Sequence, residues 1–566
     1  AAKNGHTSTV RALFNRNSAS IEIQDHNGST PLSLATCGAS KNHAETVKFL
    51  VESGANVSYK QRNGSTPIIT AAENGNVQSM KYLLGKDCLL PGKEPANVDE
   101  RNSGRSTALS LAAKNGHEDA VLLLLSHGAQ DISKKESPGR RGPISWAAGH
   151  GMVEAVKKLQ SMSNILTNAF DKEDRTPLSW AAGNGHTAVV SQLLLPIDQT
   201  TPGAAVNSID TAKRTPLSWA AGAGHKEVVQ VLLSHRADQN IRGKNTASPI
   251  VWAAKGGHLD VLKILLGEDP PDETMLGEDG GSLLLVAAAN GRAEVVSFLL
   301  QQAGTDVNKT DRNGRTPLIH TALGGHEDVA AMLLQHHADV HQRTNNTGAT
   351  VLTVAASWGR LDIIKLLLAH DRSTLQVTTD EDDNTPLYLA VQRGHLETVK
   401  FLLHSGCSVE AGSRDGDTLA HVAARGGYFL VLKALFEHER QFLNAKNANR
   451  ETPLLLAAEK SHELCVVVIL ELNSITLKQK MTPLMFASRL GSDHVVGLLL
   501  EHGADFRLRD RDYCTALSLA VVGGHIGTVL RLLDVGAPYG MKDKTGATLL
   551  ILAAKRGHSR IVHLLL

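Results

Sequence analysis

The sequence predicts an all-α solenoid of about sixteen short helix-turn-helix units. The phrase Thr-Pro-Leu-x-x-Ala-Ala-x-x-Gly-His recurs through the 566 residues, with its copies 30–41 residues apart. An apolar segment with helical spacing follows each copy, as in the helical pairs of repeat proteins. Aromatic residues make up only 4% of the chain while glycines number 50, which indicates short helices packed through leucine and alanine and separated by turns.

The first residue of the phrase anchors each unit and defines repeats 1–16. Residues 1–24 are interpreted as part of a further unit, since Ala1 to His6 match the end of the phrase. We therefore expect one continuous array over residues 1–566 instead of the roughly four domains that length alone suggests. In chain order, the anchors are Thr30, Thr66, Thr107, Gly142, Thr176, Thr215, Ser248, Ser282, Thr316, Thr350, Thr385, Thr418, Thr452, Thr482, Thr515 and Thr548.

Repeat 5 shows how each unit is expected to fold. Thr176 is a candidate N-cap, and Pro177 suits the first helical position, where its missing N–H costs nothing. Gly185 is placed to end this first helix. The following apolar residues, including Val189 and Leu193, fall on one face of a second helix. Neither helix is long enough to be stable alone, so stacking of neighbouring repeats must bury their apolar faces.

This pattern resembles the ankyrin repeat. The family's Asp-x-x-Gly-x-Thr-Pro-Leu-His-Leu-Ala-Ala-x-x-Gly-His pattern is nearly intact at residues 311–326 and recurs at 385–395. The variant at 176–186, with Ser-Trp after Thr-Pro-Leu, is similar to arrays of filamentous fungi. The resemblance implies paired helices with β-turn or hairpin tips, and protein partners bound along the concave face of the first helices and at the tips.

Charge and motif content argue against several other classes of protein. The net charge of +1 gives no general attraction for nucleic acid, and no apolar run is long enough to cross a bilayer. Five scattered cysteines favour neither disulfides nor a zinc site, so we expect a reducing, cytoplasmic location, with the nucleus as the alternative. No phosphate-binding loop, His-Glu-x-x-His or Gly-x-Ser-x-Gly motif occurs. We accordingly predict no enzyme activity and no cofactor.

The 26 histidines suggest a metal or pH-sensing role, but their positions favour a structural one. Many occupy one position of the repeat, where the resemblance implies hydrogen bonds between neighbouring turns. His336, His337 and His341 form the best exception, and even they fall short of the convergent set of ligands that a metal needs. The recurring residues are His117, His186, His225, His258, His326, His395, His525 and His558.

Four tryptophans occupy one position of repeats 4–7, where the family has leucine, and are expected to form a ladder along the first helices: Trp146, Trp180, Trp219 and Trp252. They could be core residues, or they could leave ring edges exposed beside small residues such as Gly183 and Gly222. Trp358 differs, because it precedes the glycine of repeat 10 at a position that faces the concave surface in the family. It is a candidate hot spot, with simple packing as the alternative.

The family's binding positions, carried over to repeats 9–11, give a set of candidate contact residues. Three arginines of the repeat-15 tip join this set because their alternate spacing suits one face of an extended arm. Simple solvation of charged tips is the alternative. The candidate partner-binding residues are Arg312, Asn313, Arg315, Ser357, Trp358, Glu381, Asp382, Gln392, Arg393, Arg507, Arg509 and Arg511.

The spacing is broken by two insertions, at 85–106 and 196–214, both predicted to be loops. They reflect either tolerated loop drift or the shaping of a groove or hinge. The last helix ends in Leu564, Leu565 and Leu566 without the polar face of a terminal repeat, so we expect a longer parent protein.

The sequence thus favours a non-catalytic scaffold that binds protein partners of unknown identity. One alternative is the sensing or autoinhibitory arm of a larger nucleotide-binding receptor. Another is a module that binds a small ligand or targets an enzyme.

Overall fold

The computed structural model describes residues 1–16, 21–85, 90–130, 141–162, 167–196, 203–242, 247–267, 282–376, 384–409, 416–472 and 482–566. Within these ranges the chain is helical and contains no β-strand, apart from an isolated bridge between Lys542 and Thr548. The all-α expectation is therefore confirmed.

The first helix of each repeat begins immediately after its anchor residue. The sixteen first helices are Pro31–Ala35, Pro67–Glu73, Ala108–Lys114, Pro143–Gly149, Pro177–Gly183, Pro216–Ala223, Pro249–Gly256, Leu283–Ala289, Pro317–Gly324, Val351–Ser357, Pro386–Arg393, Leu419–Gly426, Pro453–Glu459, Pro483–Leu490, Ala516–Gly523 and Leu549–Lys555.

The second helices follow after a short turn, which contains glycine in every repeat except repeat 13, where Ser461 takes its place. The chain opens with a second helix that belongs to the partial unit. The second helices are Thr7–Arg16, Lys41–Glu52, Val77–Leu84, Glu118–Ser126, Val153–Gln160, Thr187–Leu194, Lys226–Ser234, Leu259–Leu266, Ala293–Leu300, Glu327–Gln335, Leu361–His370, Leu396–His404, Phe429–His438, Glu463–Leu472, Asp493–Glu501, Ile526–Asp534 and Ser559–Leu565. Short 3-10 helices span Ala2–Asn4, Arg372–Gln376 and Arg440–Asn444.

Helix boundaries in repeat 5 follow the predicted capping chemistry. The Thr176 hydroxyl accepts the backbone N–H of Ser179 at 3.3 Å, and Pro177 occupies the first helical position. Gly185 has φ +78°, a left-handed conformation that favours glycine. The capping residues therefore fix where the first helix starts and where the chain turns into the second.

The chain comprises two compact units. One contains Ala1–Ala287 with Ser297–Ala303, and the other contains Ala288–Val296 with Gly304–Leu566. Within each unit, first helices pack on first helices of the next repeat, and second helices pack on second helices. In repeat 5 this buries Leu178 and Ala181 from the first helix and Val189 and Leu193 from the second. The apolar surface that each repeat buries, and hence its hydrophobic stabilisation, thus depends on the repeats next to it.

Many of the described tips are tight turns closed by an aspartate or asparagine side chain, whereas Thr344 closes the tip of repeat 10. In repeat 5, the Asp171 carboxylate accepts the backbone N–H groups of Glu173 and Arg175, both at 3.0 Å. The backbone N–H of Thr211 then donates to the carbonyl of Glu173 at 2.9 Å, joining this tip to the next one. Hydrogen bonds within the repeat-5 tip and to the repeat-6 tip therefore hold the side chains of these tips at regular positions.

Seven of the eight recurring histidines form the inter-repeat hydrogen bonds expected of them, as the described residues show. His186 and His225 use their Nε2 atoms to bond the carbonyls of Gly149 and Gly183, at 3.0 and 3.1 Å, in the preceding repeats. In repeat 10, Arg360 replaces the histidine, and its guanidinium donates to the carbonyl of Leu323 at 3.1 Å. The same inter-repeat bond is formed by His117, His258, His395, His525 and His558.

Candidate functional site

The four tryptophans of repeats 4–7 are each the fourth residue of a first helix and are half-buried. Two of them lie beside glycines of the preceding repeat. A Cβ added at Gly183 would lie 3.5 Å from Cβ of Trp219, and one added at Gly222 would lie 3.4 Å from Cβ of Trp252. The small residues noted in the sequence therefore lie next to Trp219 and Trp252, at distances where an added methyl group would make ordinary van der Waals contact.

Arginines interleave with the indoles. The Arg141 guanidinium lies 3.8 Å from the ring centre of Trp146 and 3.6 Å from that of Trp180. The Arg175 guanidinium lies 3.9 Å from the Trp180 ring centre and 6.0 Å from that of Trp219. These are cation–π distances.

Arg214 continues the series, at 4.3 Å from the Trp219 ring centre and 4.8 Å from that of Trp252. The predicted ladder is confirmed, with the arginines as its additional members. We call the set Arg141, Trp146, Arg175, Trp180, Arg214, Trp219 and Trp252 the Arg–Trp ladder.

Two buried aspartates orient the central indoles. The Nε1–H of Trp180 donates to Oδ2 of Asp171 at 3.0 Å, and the Nε1–H of Trp219 donates to Oδ2 of Asp210 at 3.2 Å. The side chain of Arg175 also pairs with Asp171, with 3.3 Å between Nε and Oδ2. The tip turn and the ladder are consequently held by the same carboxylate.

The start of the ladder lacks this aspartate. The residue four positions before Arg141 is Ser137, which lies outside the described residues, whereas Asp171 occupies the equivalent place before Arg175. Among the described residues Arg141 forms no ion pair, and its Nε is buried without a hydrogen-bond partner. Its Nη2 donates to the carbonyl of Ser145 at 2.8 Å. Burial lowers the pKa of Arg141 to about 10, which still leaves it charged at neutral pH.

A surface pocket of about 390 Å³ lies at this end of the ladder. The rings of Trp146 and Trp180 and the guanidiniums of Arg141 and Arg175 line it. Its polar rim carries more positive than negative charge, and Leu111 adds an apolar wall. The remaining lining residues are Ser106, Ser110, Lys114, Asp171, Lys172 and Glu173.

The candidate residues predicted in repeats 9–11 lie on other repeats. Trp358 is 55% exposed, directly after its helix, and Ser357 beside it is half-buried and accepts the bond from His395 at 3.0 Å. Gln392 and Arg393 are exposed at the end of helix Pro386–Arg393.

At the repeat-9 tip, Arg312 is exposed and Asn313 and Arg315 are half-buried. The backbone N–H groups of Asn313 and Arg315 donate to Asp311 at 2.9 Å. Glu381 and Asp382 lie outside the described residues.

The repeat-15 tip exposes Arg507, Arg509 and Arg511. Arg507 stacks 5.2 Å from the ring centre of Phe506, and Arg509 contacts Sδ of Met541 at 2.8 Å. The role of all these residues in binding remains a prediction.

Sequence reasoning identified the tryptophans but missed their arginine and aspartate partners in repeats 4–6. A signal for them exists: an aspartate four residues before an arginine, and a tryptophan five residues after it. Asp171, Arg175 and Trp180 show this spacing, as do the corresponding residues of repeat 6. Arg175 also occupies the position directly before the anchor threonine, which the family resemblance had marked for binding only in repeats 9–11.

In the part of the chain that the structure describes, no cluster of three or more potential metal ligands occurs. His341, from the histidine set considered above, instead approaches the carboxylate of Asp371, with 2.9 Å between Nε2 and Oδ2. The described helices also include none that is long and apolar enough to span a membrane.

Comparison with known families agrees with the repeat architecture. The model for ankyrin repeats (three copies) matches overlapping segments that together cover 1–136 and 144–566. The chain therefore belongs to the ankyrin-repeat family.

Similar proteins share only part of their length with this chain. The mouse B-cell lymphoma 3 protein homolog is 30% identical over 150 residues, which are 26% of this chain and 32% of that protein. Human transient receptor potential cation channel subfamily A member 1 is 28% identical over 27% of this chain and 15% of its own length. Human inversin is 28% identical over 31% of this chain and 19% of its own. The chain thus spans less than a third of each relative.

Among solved structures, the ankyrin repeat domain of Bcl-3 is similar at 28% identity. The alignment covers 38% of this chain and 99% of that domain, with a TM-score of 0.34.

Proposed function

We propose that this chain is a non-catalytic module that binds protein partners, and that the Arg–Trp ladder of repeats 4–7 is a principal binding surface. Ankyrin-repeat domains generally mediate protein–protein interaction, and the chain belongs to that family. The observation that carries the proposal is the ladder itself, a row of half-exposed indoles alternating with guanidiniums.

Tryptophan and arginine are the residue types that dominate binding energy at protein interfaces. The ladder also holds them in fixed orientations, because Asp171 and Asp210 fix two of the indoles by hydrogen bonds. A partner would therefore bind without paying much of the entropy cost of ordering these side chains. Rigid rings with exposed edges, set at a repeating interval, suit a partner segment that runs along several repeats.

The proposal is tested by selecting binders from a displayed random-peptide library on the full-length chain. Binding is then measured by tryptophan fluorescence in Trp358→Phe protein, where the only remaining tryptophans are the four of the ladder. We expect selected peptides to change this fluorescence saturably. Arg214→Ala should weaken binding of peptides that span repeats 5–7, while Arg556→Ala, at an exposed site in repeat 16, should not.

Two results would overturn the assignment. The selection could yield no peptide that binds the full chain, or the binders could leave ladder fluorescence unchanged and be insensitive to Arg214→Ala. In the second case the protein-binding function would stand, but its site would lie elsewhere, with Trp358 and the charged tips as the next surfaces to test.

A further inference from the structure

The pocket at the start of the ladder contains a cation, Arg141, that has no counter-ion among the described residues. Arg175 is neutralised by Asp171, at 3.3 Å, and by Glu173, at 3.1 Å. Arg141 occupies the same repeat position but forms no ion pair with any described residue. The charge of Asp171 partly opposes the effect of burial on the pKa of Arg141. Among the described residues, the arginine of repeat 5 therefore has a counter-ion and that of repeat 4 has none.

Burial makes this omission costly for the free protein. The Arg141 guanidinium lies between two indole rings, and its Nε has no hydrogen-bond partner. A half-buried cation whose donors are incompletely satisfied gains more from an incoming anion than a solvated one does. Lys114 and Lys172 at the rim of the same pocket add positive charge, and both are exposed.

We propose that this pocket binds an acidic side chain, aspartate or glutamate, of a protein partner, with Arg141 as the residue that recognises the carboxylate. This inference rests on the proposed function of the ladder and specifies the chemistry of its ligand. Arginine presents a planar fork of donors that matches a carboxylate. The rings of Trp146 and Trp180, stacked on the Arg141 guanidinium, fix the plane in which its N–H donors lie.

The acidic side chains that line the pocket favour a ligand with a carboxylate over one with a phosphate. Asp171 and Glu173 line the pocket, and they would repel a dianion more strongly than a monoanion. After Arg175 has been paired with them, the remaining positive charge comes from Arg141 and the two rim lysines. Leu111 and the edge of Trp146 would contact an apolar residue adjacent to the acidic one.

The test uses the peptides selected on the full-length chain as probes. Each acidic residue is replaced in turn by its amide, aspartate by asparagine and glutamate by glutamine, and affinity is measured by fluorescence with Trp358→Phe protein. We expect at least one replacement to weaken binding about tenfold or more. Arg141→Gln should remove this preference. The control is Arg556→Gln, which removes an arginine at an exposed site of repeat 16, and it should leave the preference intact.

The peptide series tests the idea even if Arg141→Gln fails to fold, which circular dichroism would reveal. Peptides that bind the ladder with no preference for acid over amide would overturn this inference while leaving the proposed function in place. Retention of the preference in folded Arg141→Gln protein would also overturn it. Phosphoserine in place of the acidic residue is the last comparison: binding more than tenfold tighter than glutamate would identify a phosphopeptide site instead. Failure to recover any binder would reject the proposed function itself.

Discussion

Asp171 accepts the indole N–H of Trp180 at 3.0 Å, while its other carboxylate oxygen accepts the backbone N–H groups of the tip turn. This buried side chain therefore connects the shape of the tip to the orientation of a ring on the first helix. The arrangement explains why an aspartate, an arginine and a tryptophan recur together in repeats 5 and 6, and it leads to the first prediction.

Replacing Asp171 by alanine should destabilise repeat 5 by about 2–3 kcal/mol, because several donors lose a charged, buried acceptor. Hydrogen exchange of amides in residues 171–194 measures this locally, since a long repeat array need not unfold in one step. Lys172→Ala, in the same turn but exposed, is the control and should change stability by no more than about 0.5 kcal/mol. Equal exchange in the two variants would show that Asp171 does not hold the turn.

Replacement by phenylalanine should cost different amounts of stability at two equivalent tryptophans, Trp180 and Trp252. Trp180→Phe removes the donor to a buried carboxylate, so we expect a loss of about 1–2 kcal/mol. The Nε1 of Trp252 is buried with no partner among the described residues, so Trp252→Phe removes an unsatisfied donor and should cost less. Thermal unfolding of the two variants in parallel gives the comparison. A larger loss for Trp252→Phe would contradict the hydrogen-bond assignment.

Substitution by alanine should have opposite effects on stability at Gly183 and at Gly185. At Gly183, in the helix, a Cβ would make only ordinary contacts, so Gly183→Ala should stabilise the helix by about 0.5–1 kcal/mol. At Gly185, φ is +78° and a Cβ would lie 2.6 Å from Nδ1 of His225, so Gly185→Ala should destabilise. Unfolding midpoints measured on both variants decide this. Shifts of the unfolding midpoint in the same direction for both variants would contradict this expectation.

The stability of repeat 12 should fall in mild acid because of His421. This fully buried histidine bonds the backbone N–H of Thr418 at 3.1 Å through Nδ1, and the carbonyl of Glu451 at 2.9 Å through Nε2. Burial lowers its pKa. The carbonyl bond to Glu451 and the charges of Asp417 and Glu451 oppose that shift, and Arg425 reinforces it.

The folded pKa of His421 thus lies below its unfolded value of about 6.5. Its contribution to stability is complete above pH 6.5 and is lost as the pH falls below that value, since the unfolded state then binds the proton more readily. Hydrogen exchange of repeat 12 at pH 7.5 and 5.5, corrected for intrinsic rates, measures the loss. His421→Gln retains a side chain that can reach back to Thr418 but does not titrate, so its repeat 12 should show no such loss. An identical pH response in both proteins would contradict the assignment.

Much of the fold could be predicted from sequence because repetition makes local signals reinforce one another. Thr176, Pro177 and Gly185 each indicated a boundary, and the structure places the helix between them. The inter-repeat role of His186 followed from the family resemblance, since bonds to a neighbouring repeat cannot be read from a single unit.

The site was less predictable. A sequence shows that Arg141 lacks the usual aspartate four residues earlier, but it does not show that two indoles enclose the guanidinium. That enclosure depends on how adjacent repeats stack. For the same reason, the pocket between repeats 3 and 5 has no signature within any one repeat.

The indole N–H resonances of the full-length chain, labelled with ¹⁵N-tryptophan, test the central claim most directly. The chain has five tryptophans, and single Trp→Phe variants assign their signals. On titration with a selected peptide, the account predicts saturable shifts of Trp146 and Trp180, with Trp358 unchanged. Shifts confined to Trp358, or no shift of any ladder indole by a peptide that binds, would contradict it.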